Sequence, residues 1–181
     1  MKKYDDVSLG KFISLILRHN PEKIGITLEK HGGWAQVHEL IEGINKSGRT
    51  IDMETLERIV RENNKQRYSF NEDHTKIRAN QGHSIEVYID FEEKVPPKFL
   101  YHGTAERFLE SIKRTGINKM SRLYVHLSKD EKTAIEVGKR HGKPVVLKVN
   151  TEAMIKDGYK FYLSENNVWL CKDVPWKYVS E

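Results

Sequence analysis

The chain has one cysteine, Cys171, among 181 residues. A single thiol excludes an internal disulfide and a cysteine-rich zinc centre. No apolar run approaches the roughly 20 residues that a membrane-spanning helix needs. The opening stretch MKKYDDVSLG carries two lysines but no apolar segment ahead of a cleavage site, so no secretory leader is indicated. The expectation is a soluble, cytoplasmic protein with no membrane contact. Neither a GxGxxG turn nor a P-loop lysine motif is present. His31, His38, His74 and His141 fall in no metal-ligand pattern, so no metal is expected. There is no internal repeat and no low-complexity tract.

Hydrophobic residues make up 38% and charged residues 31%, which is a globular composition sufficient for one large or two small domains. The net charge of +5 is unevenly spread. Up to Val95 there are 15 basic and 16 acidic residues; after it, 16 basic and 10 acidic. A basic second half fits an anionic partner such as a nucleic acid or a dinucleotide, although lysine-rich surfaces also serve solubility alone. The run Glu92-Glu93-Lys94-Val95-Pro96-Pro97 reads as an extended connector. Lobes of 1–95 and 96–181 follow.

In the first lobe, Leu9, Phe12, Ile13, Ile16 and Leu17 form one helical stripe, with Ser8 or Asp6 available as its cap. Arg18 lies roughly opposite Leu9 and His19 on the flank, so neither is needed by the core. Pro21 stops the helix. Arg18-His19 is therefore open to two readings, a dipole-matched helix end or half of an anion site. A second helix covers Val37 to Asn45, and Gly48 ends the turn after it. A third starts at Asp52 and carries Arg58, Arg61 and Lys65 on its polar face. Arg67–Phe70 and Thr75–Arg78 read as a hairpin around the loop Asn71–His74. In that register Phe70 faces Thr75, and Arg67 faces Arg78. Two opposed arginines repel unless an anion lies between them, or both point into water. Trp34, after Gly32-Gly33, reads as a packing anchor. Three helices and a hairpin make a winged-helix pattern, whose third helix and wing are the usual nucleic-acid surfaces.

In the second lobe, Phe99–Tyr101 reads as a strand delivering His102-Gly103-Thr104 at its end. A helix from Ala105 to Arg114 follows, with Phe108, Leu109 and Ile112 inward. Further strands are expected over 123–128, 145–149, 159–163, 168–170 and 177–179. A helix is expected over 129–140, begun by Ser128 or Asp130. The fold class is α+β, built on many short strands.

Seven blocks then stand in order: LILRHNP (15–21), GGW (32–34), NNKQRYSF (63–70), IRANQGHS (77–84), LYHGT (100–104), MSRLYVHLS (120–128) and GKRHGKPVVLKV (138–149). In these blocks the chain resembles the RNA 2′-phosphotransferases of the Tpt1/KptA family. The resemblance implies an N-terminal winged-helix lobe for RNA and a C-terminal ADP-ribosyltransferase-like lobe for NAD. It implies transfer of an internal RNA 2′-phosphate, such as some tRNA ligation pathways leave, to NAD as co-substrate. The products would be 2′-hydroxyl RNA, nicotinamide and ADP-ribose 1″,2″-cyclic phosphate, formed through an RNA-2′-phospho-ADP-ribose intermediate.

The family's catalytic set falls on Arg18, His19, Arg67 and Arg122. The first three would position the phosphate, and Arg122 would stabilise charge in the second step. On the NAD side the resemblance assigns His102, Gly103 and Thr104 to the ADP-ribose, and His126 and Ser128 to the nicotinamide riboside. His126 also fits an ordinary strand histidine. Arg140 reaches NAD phosphates or simply matches its helix dipole. Arg78 and His83 are support residues for the phosphate or the RNA, with a turn-stabilising role open for His83. The last segment, Asn167–Cys171, has no glutamate where many ADP-ribosyltransferases carry one, and a phosphate nucleophile needs no carboxylate base. Two rival functions remain: a non-catalytic nucleic-acid-binding module, and an NAD-dependent transferase acting on another phosphate. No protein partner is implied.

Overall fold

Helix α1 runs Lys2–Arg18 and places Ile13, Ile16 and Leu17 at zero exposure. These coordinates are a computed structural model; it describes residues 2–181, with side chains from Asp6 onward. Because α1 begins at Lys2, neither Asp6 nor Ser8 caps it. Asp6 instead takes a forked pair from Arg58, at 2.8 and 2.9 Å. Arg58 thus ties the third helix to the first instead of standing on a polar face open to RNA.

Asn20 caps a short 3₁₀ turn, Pro21–Ile24, whose first residue is the proline that stops α1. Strand β1 (Ala35–Gln36) leads into α2 (Val37–Lys46). The Asn45 side chain then pairs with both backbone groups of Ile51, at 2.8 and 2.9 Å, and sets the turn into the next helix. Helix α3 (Met53–Glu62) starts at Asp52, whose carboxylate accepts from the Thr55 amide at 2.8 Å, as the sequence pattern predicts. Strands β2 (Tyr68–Phe70) and β3 (Lys76–Ala79) complete a sheet in the order β1-β3-β2.

The hairpin register differs from expectation. Phe70 faces Ile77 and Ser69 faces Arg78, so Arg67 and Arg78 are not opposed. The cause is Asn71. Its backbone N–H donates to Lys76 O at 3.1 Å, and its side-chain oxygen accepts from Lys76 N at 2.8 Å. Asn71 thereby becomes a strand-end partner, and the loop moves one residue along, with His74 at φ 60°. The two faces survive this shift, because each partner moves by an even number of positions. Tyr68, Ile77 and Ala79 are buried, while Arg67, Ser69, Lys76 and Arg78 share the other face. Arg78 lies over the Trp34 ring, 4.6 Å from its centroid.

The chain divides into two compact units, 1–90 and 91–181. In the second unit, β4 (Glu92–Glu93) pairs with a later strand, so the charged run is sheet and not a free connector. Strand β5 (Phe99–Ala105) runs through His102-Gly103-Thr104 instead of ending there. A 3₁₀ turn (Glu106–Phe108) and α4 (Leu109–Thr115) replace the single expected helix, and Phe108 is 40% exposed instead of inward. Then follow β6 (Ile117–Asn118), β7 (Val125–Leu127), α5 (Glu131–Lys139) and β8 (Pro144–Asn150). Asp130, not Ser128, caps α5 through the Thr133 amide at 2.7 Å. The unit closes with α6 (Thr151–Lys156), β9 (Tyr162–Leu163), β10 (Trp169–Cys171), β11 (Asp173–Val174) and β12 (Val179–Ser180). Trp176–Tyr178 is a 3₁₀ turn where a strand is expected. The sheets run β4-β9-β10-β7, β12-β8-β5 and β11-β6. Reciprocal backbone bonds between Tyr101 and Ser128, at 2.7 and 2.8 Å, join β5 to the end of β7.

Each unit has its own apolar core. In the first it is built on Leu17, Leu40, Ile44, Leu56 and Ile77. In the second it is built on Leu100, Leu127, Leu147, Val149 and Phe161. The architecture is mixed α/β.

Candidate functional site

In the first unit the candidate residues gather at the end of α1. Two consecutive amides, of His19 and Asn20, converge on the Leu15 carbonyl at 3.0 and 2.8 Å, which ends the helix. The Arg18 carbonyl is taken by the Ser84 amide at 3.0 Å. The His19 ring is exposed, and its Nδ1 lies 2.8 Å from Ser84 Oγ. Gly82, at φ +92°, stands against the Arg18 guanidinium: a Cβ there would lie 3.2 Å from both Nε and Cζ. Arg18 and His19 stand at the C-terminal end of α1, where a cation opposes the negative end of the helix dipole.

His83 is 2% exposed. Burial, and then the charges of Arg18, His19 and Arg78, push its pKa down to about 4, so the ring is neutral at physiological pH. Every charge acting on it is cationic. Its Nε2 makes no hydrogen bond to any described residue and abuts Gly33. Arg67 is held by its backbone. Its amide donates to Asn63 Oδ1 at 3.0 Å, its carbonyl accepts from Asn80 N at 2.8 Å, and Gln66 before it has φ 46°. The Tyr68 hydroxyl donates to Gly10 O at 2.6 Å and bonds Ser14 Oγ. Burial raises the Tyr68 pKa, opposed by the Ser14 bond and by the charges of Arg18 and Arg67. Segment 80–84 links the candidates: its Asn80 amide bonds the Arg67 carbonyl, Gly82 packs on Arg18, Ser84 meets Arg18 O and His19, and the charge of Arg78 acts on His83. Forked guanidinium donors beside an imidazole suit an oxyanion with several acceptor oxygens.

In the second unit, His102 Nδ1 lies 3.1 Å from the His126 carbonyl. A carbonyl only accepts, so Nδ1 carries the proton and Nε2 is left as an acceptor. Burial above all, opposed by that carbonyl bond, and then the charge of His141 keep the His102 pKa below its ordinary value. Arg122 Nη1 donates to His126 Nδ1 at 2.9 Å. Loss of hydration and the neighbouring Arg140 lower the Arg122 pKa from its ordinary value. Arg122, Arg140, His102, His126 and His141 thus form a second arginine–histidine group, in which the two arginines are the cations. Thr104 is buried on β5, and Ser128 is fixed by its two bonds to Tyr101.

Gly103 has a packing reason of its own. A Cβ there would sit 1.8 Å from Ala134 O, and one at Gly138 would sit 2.6 Å from Thr104 O. The glycine lets α5 lie directly on β5. The residue on β10 opposite His126 is Leu170, fully buried.

Sequence reasoning passed over Gly82 and Ser84, although both lie inside the block IRANQGHS. Neither residue type announces its contact. Only the return of the chain to the end of α1 brings them to Arg18 and His19.

Arginine–histidine groups in both units, on a mixed α/β framework, are the equipment of a protein that handles oxyanions, and the named relatives are transferases. A probable RNA 2′-phosphotransferase of Fusobacterium nucleatum is 64% identical over 176 residues, covering 97% of this chain and 98% of the relative. Proteins of the same description from Flavobacterium johnsoniae and Pectobacterium carotovorum are 55% and 52% identical, over 95% and 96% of this chain and 94% and 92% of the relatives. The profile of the RNA 2′-phosphotransferase, Tpt1/KptA family matches residues 4–173, and the chain belongs to that family.

Proposed function

We propose that the protein is an NAD-dependent RNA 2′-phosphotransferase. It moves an internal RNA 2′-phosphate to NAD and acts in the cytoplasm, on RNA such as that left by tRNA ligation. The observation that carries this reading is that segment 80–84 bonds the Arg67 backbone and contacts both Arg18 and His19, in a chain matched by the family profile over residues 4–173. The first unit is read as a winged-helix lobe for RNA, from its three helices and following hairpin. The second is read as an ADP-ribosyltransferase-like lobe, from the His102-Gly103-Thr104 strand and the β7–β10 pair.

The residues of the second unit fit a dinucleotide. His102 presents Nε2 as an acceptor, His126 presents Nε2–H as a donor, and Arg122 and Arg140 offer cations for phosphates. NAD supplies an electrophilic anomeric carbon. In the first step an anionic oxygen of the RNA 2′-phosphate attacks that carbon, and the bond to nicotinamide breaks with its electron pair leaving on nicotinamide. No general base is required, because the phosphate is ionised near pH 7. Arg18, His19 and Arg67 hold and aim the phosphate. In the second step the ribose 2″-hydroxyl of the RNA-2′-phospho-ADP-ribose intermediate attacks phosphorus. The bond to the RNA 2′-oxygen breaks, and that oxygen takes a proton as the cyclic phosphate leaves. Charge grows on the phosphoryl oxygens here, and Arg122 stabilises it. The buried Leu170 opposite His126 accords with a reaction that needs no carboxylate base.

The test is nicotinamide release from NAD with two RNAs of one sequence, one bearing a single internal 2′-phosphate and one a 2′-hydroxyl. Release with the phosphorylated RNA alone is expected. Equal release with both, or with neither, would overturn the reading.

A further inference from the structure

Three contacts join the segment Gly82-His83-Ser84 to the pair Arg18-His19, and each restrains a different freedom. The Ser84 amide holds the Arg18 carbonyl at 3.0 Å, which fixes the exit of α1. Gly82 packs its bare Cα side against the guanidinium, where a Cβ at 3.2 Å from Nε and Cζ would push the group aside by a few tenths of an ångström. Ser84 Oγ engages His19 Nδ1 at 2.8 Å, which commits one nitrogen of an exposed ring and leaves Nε2 as the other. His83 between them is buried and held against Gly33, so the segment is anchored at its centre.

We infer that Gly82-His83-Ser84 is a positioning segment for the phosphate-binding pair: Gly82 sets the direction of the Arg18 guanidinium, and Ser84 sets which nitrogen of His19 faces the ligand. Neither residue touches the reacting atoms. They act through Arg18 and His19, as partners behind a ligating group fix its tautomer and aim. An error of about 1 Å in such a group is enough to cost on the order of 100-fold in rate. The inference rests on the function proposed above only for its catalytic readout.

Gly82→Ala places a methyl against Arg18 and also strains a φ of +92°, so a control must carry the strain alone. Gly48 provides it: φ is +98° and nothing lies within 4 Å of its Cβ position. Gly82→Ala and Gly48→Ala are expected to lower the melting temperature comparably. Only Gly82→Ala is expected to slow phosphate transfer, by about 10- to 100-fold. In an Arg18→Lys background the further loss from Gly82→Ala should shrink to less than about 2-fold, because residues that act through one another are non-additive. Ser84→Ala should cost about 10-fold and Ser84→Thr, which keeps the hydroxyl, should restore most of it. The second readout needs no substrate. ¹⁵N NMR of the His19 ring in the full chain should show a dominant tautomer, which Ser84→Ala converts to a mixture and Ser84→Thr restores.

Equal activity of Gly82→Ala and Gly48→Ala, additive losses with Arg18→Lys, or a His19 spectrum unmoved by Ser84→Ala would each overturn the inference. A wild-type protein that transfers no phosphate would instead overturn the proposed function, and the NMR comparison would still decide the role of Ser84.

Discussion

Arg122 and His126 meet at 2.9 Å, Nη1 to Nδ1. A guanidinium only donates, so Nδ1 of His126 is unprotonated and its proton sits on Nε2. The pair binds a permanent cation to a neutral imidazole that presents a single directed donor. That arrangement separates a charge that can follow a phosphoryl group from a donor that can hold a ribose.

Arg122→Ala is expected to slow the second step more than the first, by on the order of 100- to 1,000-fold. RNA-2′-phospho-ADP-ribose should then accumulate on denaturing gels. If only starting RNA remains, Arg122 acts in the first step.

Arg18→Ala, His19→Ala and Arg67→Ala are each expected to lose at least about 100-fold in phosphate transfer. Thermal melts should stay close to wild type, because none of the three belongs to the apolar core. Unfolding in step with lost activity would make them structural residues.

His83 makes the stability of the first unit pH-dependent. Its folded pKa of about 4 lies below the unfolded value of about 6.5, so between those values the unfolded chain binds more protons. Stability therefore falls as pH drops from about 6.5 to about 4, by at most about 3 kcal/mol from this group, and the fall levels off below. His83→Gln should flatten that part of the profile in urea titrations at several pH values. An unchanged slope would mean that the ring is charged in the folded protein.

Much of this was legible in the chain because local chemistry agreed with the packing. Asp52 and Asp130 cap α3 and α5, and the stripe from Leu9 to Leu17 is the buried face of α1. Arg18, His19 and Arg67 stand off the apolar pattern, and none of them belongs to the apolar core. What was not legible depends on partners distant in sequence. The pairing of Asn71 with Lys76 moved the hairpin by a residue at each end, which a count of loop residues cannot reveal. Asp6 looked like a cap until Arg58, 52 residues away, claimed it. Helix α6, only six residues long and capped by Asn150, carries too little periodicity to announce itself.

Gly103 illustrates the same limit in a site residue. The resemblance reads it as room for ADP-ribose, yet a Cβ would first meet Ala134 O at 1.8 Å. Gly103→Ala is expected to destabilise the second unit by on the order of 3 kcal/mol or more, since α5 must lift from β5. Activity should fall together with the melting transition. A variant that melts normally but loses NAD binding would assign the glycine to the ligand instead.

The most direct measurement follows the phosphate itself. The protein is incubated with RNA carrying one radiolabelled internal 2′-phosphate, with and without NAD. The account predicts that label leaves the RNA only when NAD is present and appears in ADP-ribose 1″,2″-cyclic phosphate. Label that stays on the RNA with NAD present, or that leaves as inorganic phosphate without it, would contradict the account.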